Sequence, residues 1–422
     1  MDVIADLQIH GRYSRATSNA LSIDNLEKFA RIKGVNLLGT GDFQHPLWAK
    51  EIKEKLTEDD NGILWTKNRF PFIWQTEISL IYTQGGKGRK VHHLIYSPNG
   101  DTAKQIREAL SKKGRLDYDG RPIFGFSSIE LVEMMMGISR DIEIIPAHAW
   151  TPWFSIFGSK SGFDSVEACF QEKAKHIHAI ETGLSSDPPM NWRISALDKY
   201  TLVSNSDLHS FWPWRLGREC TVFDVPELSY DKLMEAVRTR KGLRETIEVD
   251  PNYGKYHIDG HRKCNVAFTP RESREHNNIC PVCRQPLTIG VLYRIEELAD
   301  RPVGFRPENA VPFRTLLPLS EVINIVTGSP VASKKVWAQY NQLIKEFGNE
   351  FNVMLQAKPD AMKSLVPEKV VKAIMKVRNN DVQIIPGYDG EYGRPVFDGS
   401  AGIPEKTPLK RGPQKGLGEF LK

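Results

Sequence analysis

A chain of 422 residues, at roughly 150 residues per domain, predicts two to four domains with ample sequence for a large core. Hydrophobic residues make up 40% and charged residues 26%, a globular composition that excludes a disordered, collagenous or coiled-coil chain. The balance of 57 basic against 52 acidic residues, +5 net, permits a nucleic-acid partner without demanding one, because a local groove matters more than the total.

The first ~245 residues read as alternating strands and helices. Ile4 to Ile9 is a short apolar run. Ser22 can cap a helix from Ile23 to Lys33, whose apolar face holds Leu26, Phe29, Ala30 and Ile32 and which Gly34 ends. Further strands are expected at 35–38, 73–82, 93–96, 142–145, 177–180 and 201–203, with helices at 128–136 and 190–199. Strand alternating with helix predicts an α/β fold with a parallel sheet, open or closed into a barrel. His10, Asp42, His148, Glu181, Asp207 and His209 fall just past strand ends, where parallel α/β folds carry their chemistry.

Four regions are expected: 1–247, the strand–helix domain; 248–301, a small cysteine-bearing module; 302–390, a helical domain with helices near 332–347 and from Pro367; and 391–422, a flexible Gly/Pro/Lys-rich tail. No run approaches the ~18 apolar residues of a membrane span. The first residues enter a strand-like run without a basic segment or cleavage pattern, so a soluble, cytoplasmic protein associated with the nucleoid and no membrane partner is expected.

Three of the five cysteines cluster in the second region. His261-x2-Cys264 is followed, fifteen residues on, by Cys280-Pro281-Val282-Cys283. Two paired ligand spacings supply four soft or borderline donors, which suits a closed, structural Zn²⁺ site; His257 is a rival for the histidine place.

The segments around His10, Asp42, Glu77, His92, His148, Asp207 and His209 mix imidazoles with carboxylates, the donor set of divalent ions that activate water and neutralise phosphate oxygens. In order, these motifs resemble the PHP (polymerase and histidinol phosphatase) family, with Pro146-Ala147-His148-Ala149 and Ser206-Asp207-Leu208-His209 the sharpest pieces. The resemblance implies a distorted (β/α)7 barrel holding two or three divalent ions (Zn²⁺, Mn²⁺ or Mg²⁺) on His10, Asp42, Glu77, His92, His148, Asp207 and His209. All but His92 are also expected to be catalytic. Gln8 stands where a histidine is usual and Phe43 where the second half of Asp-His is usual, so Gln8 and His45 are further candidate ligands. The pattern His-x-Leu favours His92 over His93.

The order of PHP motifs, His/Cys module and helical region carrying Gly387-Tyr388-Asp389-Gly390-Glu391-Tyr392-Gly393 resembles the endonuclease Q family over nearly the whole chain. That resemblance implies a metal-dependent DNA repair endonuclease that nicks 5′ of uracil, hypoxanthine, xanthine and abasic sites. The motifs alone also fit a phosphatase of small phosphate esters or a non-catalytic, clamp-tethered DNA-binding scaffold. Candidate contacts to damaged DNA are Arg12 and Arg15 for phosphates, Trp150, Trp153 and Trp212 for stacking, and Ser185, Ser186 and Asn191 on the loop after a strand. Near the end, Gln414, Leu417, Phe420 and Leu421 resemble a peptide that binds the sliding clamp PCNA, the apolar three meeting on one helical turn, which implies an archaeal setting.

Overall fold

In the computed structural model, residues 1–397 are described; the expected clamp peptide (Gln414, Leu417, Phe420, Leu421) lies outside them. The strand–helix region contributes β1 (Asp2–Asp6), α1 (Ile23–Lys33), β2 (Leu37–Gly39), β3 (Pro71–Gln84), β4 (Lys87–Ser97), α2 (Ser128–Ile138), β5 (Glu143–Pro146), β6 (Ala179–Glu181), β7 (Thr201–Val203), β8 (Cys220–Asp224) and β9 (Leu243–Glu248). The bounds of α1 follow from its ends. The Ser22 hydroxyl accepts from the Asn25 amide, and Gly34 stops the helix at φ 96°, a left-handed conformation that suits glycine.

The expected parallel sheet is corrected to a mixed one. β1, β2 and β3 run parallel, but β3 and β4 form a long antiparallel hairpin and β5 is antiparallel to β4. On the other side β8 is antiparallel to both β1 and β9. The hairpin exists because Gly85 and Gly86 take positive φ in a two-residue turn, which sends the chain straight back instead of through a crossover helix. β6 and β7 form a separate parallel pair. A loop hydrogen bond from Ala149 N to Glu181 O and the Ile9–Leu208 bridge flank this pair. One hydrophobic cluster nevertheless draws on β1 through β9, among them Ala5, Leu37, Ile73, Leu94, Ile145, Ala179, Val203, Phe223 and Leu243.

The helix expected at 190–199 is also corrected: Pro188–Asn191 forms one helical turn, and Ser195–Leu197 a separate 3-10 turn. Pro188 and Pro189 start a helix well but cannot donate within it, and the chain leaves helical geometry by Ile194, φ −120°.

Beyond residue 248 a hairpin of Asp259–His261 and Val266–Phe268 carries the His/Cys segment. Phe313–Thr315 then rejoins the large sheet beside β9, ahead of α3 (Leu319–Thr327), α4 (Lys334–Phe347), α5 (Glu350–Leu355) and α6 (Glu368–Arg378). The helical region shares a core with the strand–helix region: Ile9, Leu26 and Trp48 belong to the same cluster as Leu319, Tyr340, Phe351 and Ile374. Within it, Lys33 of α1 donates to Glu350 at 2.6 Å, both side chains at most 2% exposed, and Glu350 also accepts from Tyr340 and the Leu319 amide. The start of the expected flexible tail is corrected as well, since Arg394–Val396 pairs with Gln383–Ile385 as a hairpin. No helix among the described residues is long and apolar enough to cross a membrane.

Candidate metal-binding active site

Three of the expected residues sit where a strand or its following turn reverses sharply. Asp42, His148 and Asp207 adopt φ of 39°, 31° and 47°, a left-handed conformation that non-glycine residues take at a cost. Such strain is characteristic of functional sites, and here it accompanies side chains that converge.

Two groups of donors form. In one, Glu77, His92 and His148 place a ligand atom each within 4.8 Å of one another; in the other, His10, Asp207 and His209 do the same. Glu77 joins them. Its Oε1 lies 2.5 Å from His92 Nδ1 and 3.4 Å from His148 Nε2, while its Oε2 lies 3.0 Å from His10 Nε2. His10 Nε2 is also 3.2 Å from Asp207 Oδ1. Gln8 donates to Glu77 Oε2 at 3.1 Å, leaving its own buried Oε1 without a partner.

The electrostatics fit divalent cations. Burial opposes a charge on His10, yet the carboxylates of Asp42, Asp207 and Glu77 hold its pKa well above 6.5. A proton there answers a demand for positive charge that an ion would meet more fully. Burial instead pushes His92 down to about 4, against the pull of Glu77, so its imidazole is neutral and has a lone pair to offer. With nitrogen and carboxylate donors converging from both groups, the residues suit Zn²⁺ or Mn²⁺.

Asp42 is in neither group. Its Oδ1 is 3.0 Å from His10 Nδ1, and its Oδ2 accepts from the Gly11 amide and the Ser14 hydroxyl. It stands behind His10 as the carboxylate that orients its imidazole. His45 is stacked on Tyr13, ring centroids 4.6 Å apart, also outside both groups. Of the two adjacent histidines, His92 faces the cluster, while His93 bonds Ser128 at 2.8 Å on the opposite face of the strand. Phe43 packs edge-on against Trp74 in the core.

Several expected DNA contacts are corrected. Trp150 is 1% exposed and donates to Asn191, which donates in turn to Ser186 and the Asp187 carbonyl; Ser186 donates to the Thr182 carbonyl. These three side chains are satisfied internally and hold the loop after β6 in place. Ser185 is buried beside them. Trp153 and Trp212 do reach the surface; Trp153 lies edge-on to Tyr256, and Trp212 stacks on Trp214 with planes 3° apart. Arg12 pairs with Glu51 and Arg15 with Asp119.

Two participants, Arg121 and Ser14, escaped the sequence reading of the site, and a third, Glu181, was only partly read. Arg121 reaches Glu77 at 3.4 Å from a loop with no periodic pattern, and nothing in the sequence marks it. Ser14 follows His10 by four residues, a spacing that carries no recognisable signal. Glu181 was legible only as a polar residue after a strand. Its carboxylate accepts from the His148 amide at 2.7 Å and from Asn205 at 2.8 Å, and burial pushes its pKa up to about 8.

Away from this centre, His261, Cys264, Cys280 and Cys283 form a third group, with His261 Nδ1 3.2 Å from Cys283 Sγ; His257 is not among them. Burial acts to raise the Cys280 pKa, but the amides of Cys283 and Val282, with His261, outweigh it and bring the thiol to about 7.

Known proteins resemble this chain over nearly its whole length. The crystal structure of the lesion-specific endonuclease from Pyrococcus furiosus, PfuEndoQ, is 33% identical over 94% of this chain and 95% of its own, with a TM-score of 0.84. The chain belongs to the endonuclease Q family. A second endonuclease Q structure, a complex with a 27-mer duplex bearing an abasic lesion at the active site, matches at 33% identity over 94% of this chain and 96% of that one, TM-score 0.84. As a member of the endonuclease Q family the protein is an endonuclease. A family model described as the MJ0043 C-terminal domain matches residues 318–381, the helical region. The Methanocaldococcus jannaschii protein MJ0043 is 34% identical over 255 residues, which is 59% of this chain and only 31% of that relative's length.

Proposed function

We propose that this protein is a metal-dependent DNA repair endonuclease that nicks the phosphodiester 5′ of deaminated bases (uracil, hypoxanthine, xanthine) and of abasic sites. One observation carries the metal dependence: two triads of nitrogen and oxygen donors joined through Glu77. Divalent ions held by Glu77, His92 and His148 and by His10, Asp207 and His209 would supply a hydroxide at neutral pH and neutralise phosphate oxygens. Glu77 keeps the two groups in register, and Asp42 fixes the His10 ring so that Nε2 faces Glu77 and Asp207. His209 donates from Nδ1 to the Asp207 carbonyl, 2.9 Å away, leaving the Nε2 lone pair for an ion. Two triads favour two ions over three. His261, Cys264, Cys280 and Cys283 would hold a structural Zn²⁺. The two related structures support DNA as the substrate, since one of them holds an abasic duplex.

The test is a nicking assay on end-labelled duplexes carrying uracil, hypoxanthine, xanthine or an abasic site, with Mg²⁺, Mn²⁺ and EDTA arms and an undamaged control. Cleavage 5′ of the lesion that EDTA abolishes is expected, and Asp207→Asn should remove it while duplex binding persists. Full activity in that variant, or equal cutting of undamaged DNA, overturns the reading. The C-terminal peptide would tether the enzyme to a sliding clamp. A chain ending at Phe397 should then nick normally yet no longer be retained on immobilised clamp.

A further inference from the structure

Arg121 is held in an unusual way for a sheltered arginine. Its side chain is only 25% exposed, yet among the described residues its one side-chain hydrogen bond is a long contact, Nη1 to Glu77 Oε1 at 3.4 Å. Compare Arg294, more sheltered at 11% exposure. It donates to the carbonyls of Phe157 and Phe163 and to Asp164 and Glu297. A guanidinium has five donors in a rigid fork, so Arg121 brings most of its hydrogen-bonding capacity to the active site without a protein acceptor for it.

The backbone beneath it is fixed. Asp119 accepts from the amides of both Arg121 and Arg15, and the Gly120 amide donates to the Tyr13 carbonyl. Gln44 donates to the Gly120 carbonyl. Gly120 presses so closely on the His10 support that a Cβ there would stand 2.4 Å from Asp42 Oδ2 and 2.2 Å from Ser14 Oγ. The loop thus sets the origin of the Arg121 side chain against the same Asp42–Ser14 pair that orients His10. A rigid base, a sheltered fork and spare donors next to Glu77 describe a site awaiting an anion with several acceptor oxygens.

We propose that Arg121 contacts a non-bridging oxygen of the phosphodiester to be cut. This rests on the reading of the two triads as a divalent-ion phosphoesterase centre. With cations on both triads, the Glu77 carboxylate would have other positive charge to face, and the long Arg121 contact could be exchanged for a phosphate oxygen. The fork would then share the negative charge of the phosphate oxygens.

The experiment compares wild type, Arg121→Lys and Arg121→Ala, each loaded with Mn²⁺ and checked for ion content and circular dichroism. Orthophosphate binding is measured by calorimetry, alongside hydrolysis of bis(p-nitrophenyl) phosphate and nicking of an abasic duplex. The alanine variant should keep its ions but bind orthophosphate at least about tenfold more weakly. Both rates should fall by about 10²–10³-fold, the usual loss for one oxyanion donor, with lysine intermediate. Guanidinium ion added to the alanine variant should restore part of the lost rate, which a merely structural role would not allow. Equal phosphate affinity in wild type and the alanine variant, or no phosphate binding by wild type, overturns the proposal. So does loss of ions in step with Arg121, which would make the residue a prop for Glu77. If wild type binds phosphate through Arg121 and cleaves the small diester but leaves lesion duplexes intact, the DNA reading falls while the Arg121 contact stands.

Discussion

Asp42 shows how a residue can be found for one reason and matter for another. An acid just past a buried strand makes it legible, and the order of PHP motifs places it among the expected ligands. In the structure both its oxygens are engaged, by His10, Gly11 and Ser14. Removing half of that grip leaves the triads intact but lets the His10 ring turn. Asp42→Asn is therefore expected to weaken divalent-ion affinity by about 10–100-fold, the usual effect of losing a partner behind a ligand, read by titrating the metal-free protein with Mn²⁺. The convergence of these donors was legible, because histidines and acids at successive strand ends are rare unless they meet. Arg121 was not, since a loop arginine looks the same on paper whether it faces solvent or a carboxylate. Trp150, Ser186 and Asn191 misled for the opposite reason: residue types that suit DNA also suit a buried hydrogen-bonded loop.

At the level of elements, local chemistry was the better guide wherever it set the ends. The cap at Ser22 and the stop at Gly34 fixed α1, and Ser333 caps α4 by accepting from Val336. Strand direction was not legible, because a buried apolar run reads alike in parallel and antiparallel pairs, and a two-glycine turn decides between them only once its partner strands are known. The convergence of His261, Cys264, Cys280 and Cys283 was legible from spacing alone, since Cys-x2-Cys has few other uses, but the hairpin that carries His261 was not. Its apolar cluster is small: Val266, Cys280 and Leu287. So little buried surface stabilises two short strands weakly, and besides the backbone bonds between Gly260 and Thr288 a bound ion would add the main support. Cys280→Ser should lose one equivalent of tightly held zinc and open the Asp259–Phe268 hairpin to rapid amide exchange, while exchange in β1 to β9 stays slow.

Across the whole molecule, the expected boundary near residue 302 is crossed by a strand, a shared core and a buried ion pair. Lys33 and Glu350 are both sequestered from water, so removing one partner leaves an uncompensated charge. Lys33→Met is expected to destabilise the protein by about 3–5 kcal/mol, measured by urea unfolding, and to do so in one transition spanning the strands and the helices. Nothing in the sequence pairs positions so far apart, because charge complementarity has no period.

That pair also constrains how such a protein can diverge. Each single change at position 33 or 350 passes through an intermediate carrying an orphaned charge in the core, so the two positions are locked into substitution together. Recombining the first 247 residues of one relative with the remainder of another should yield a well-folded hybrid only when both parents carry compatible residues at these two positions. The lineage of the catalytic part is in that sense inherited with its helices.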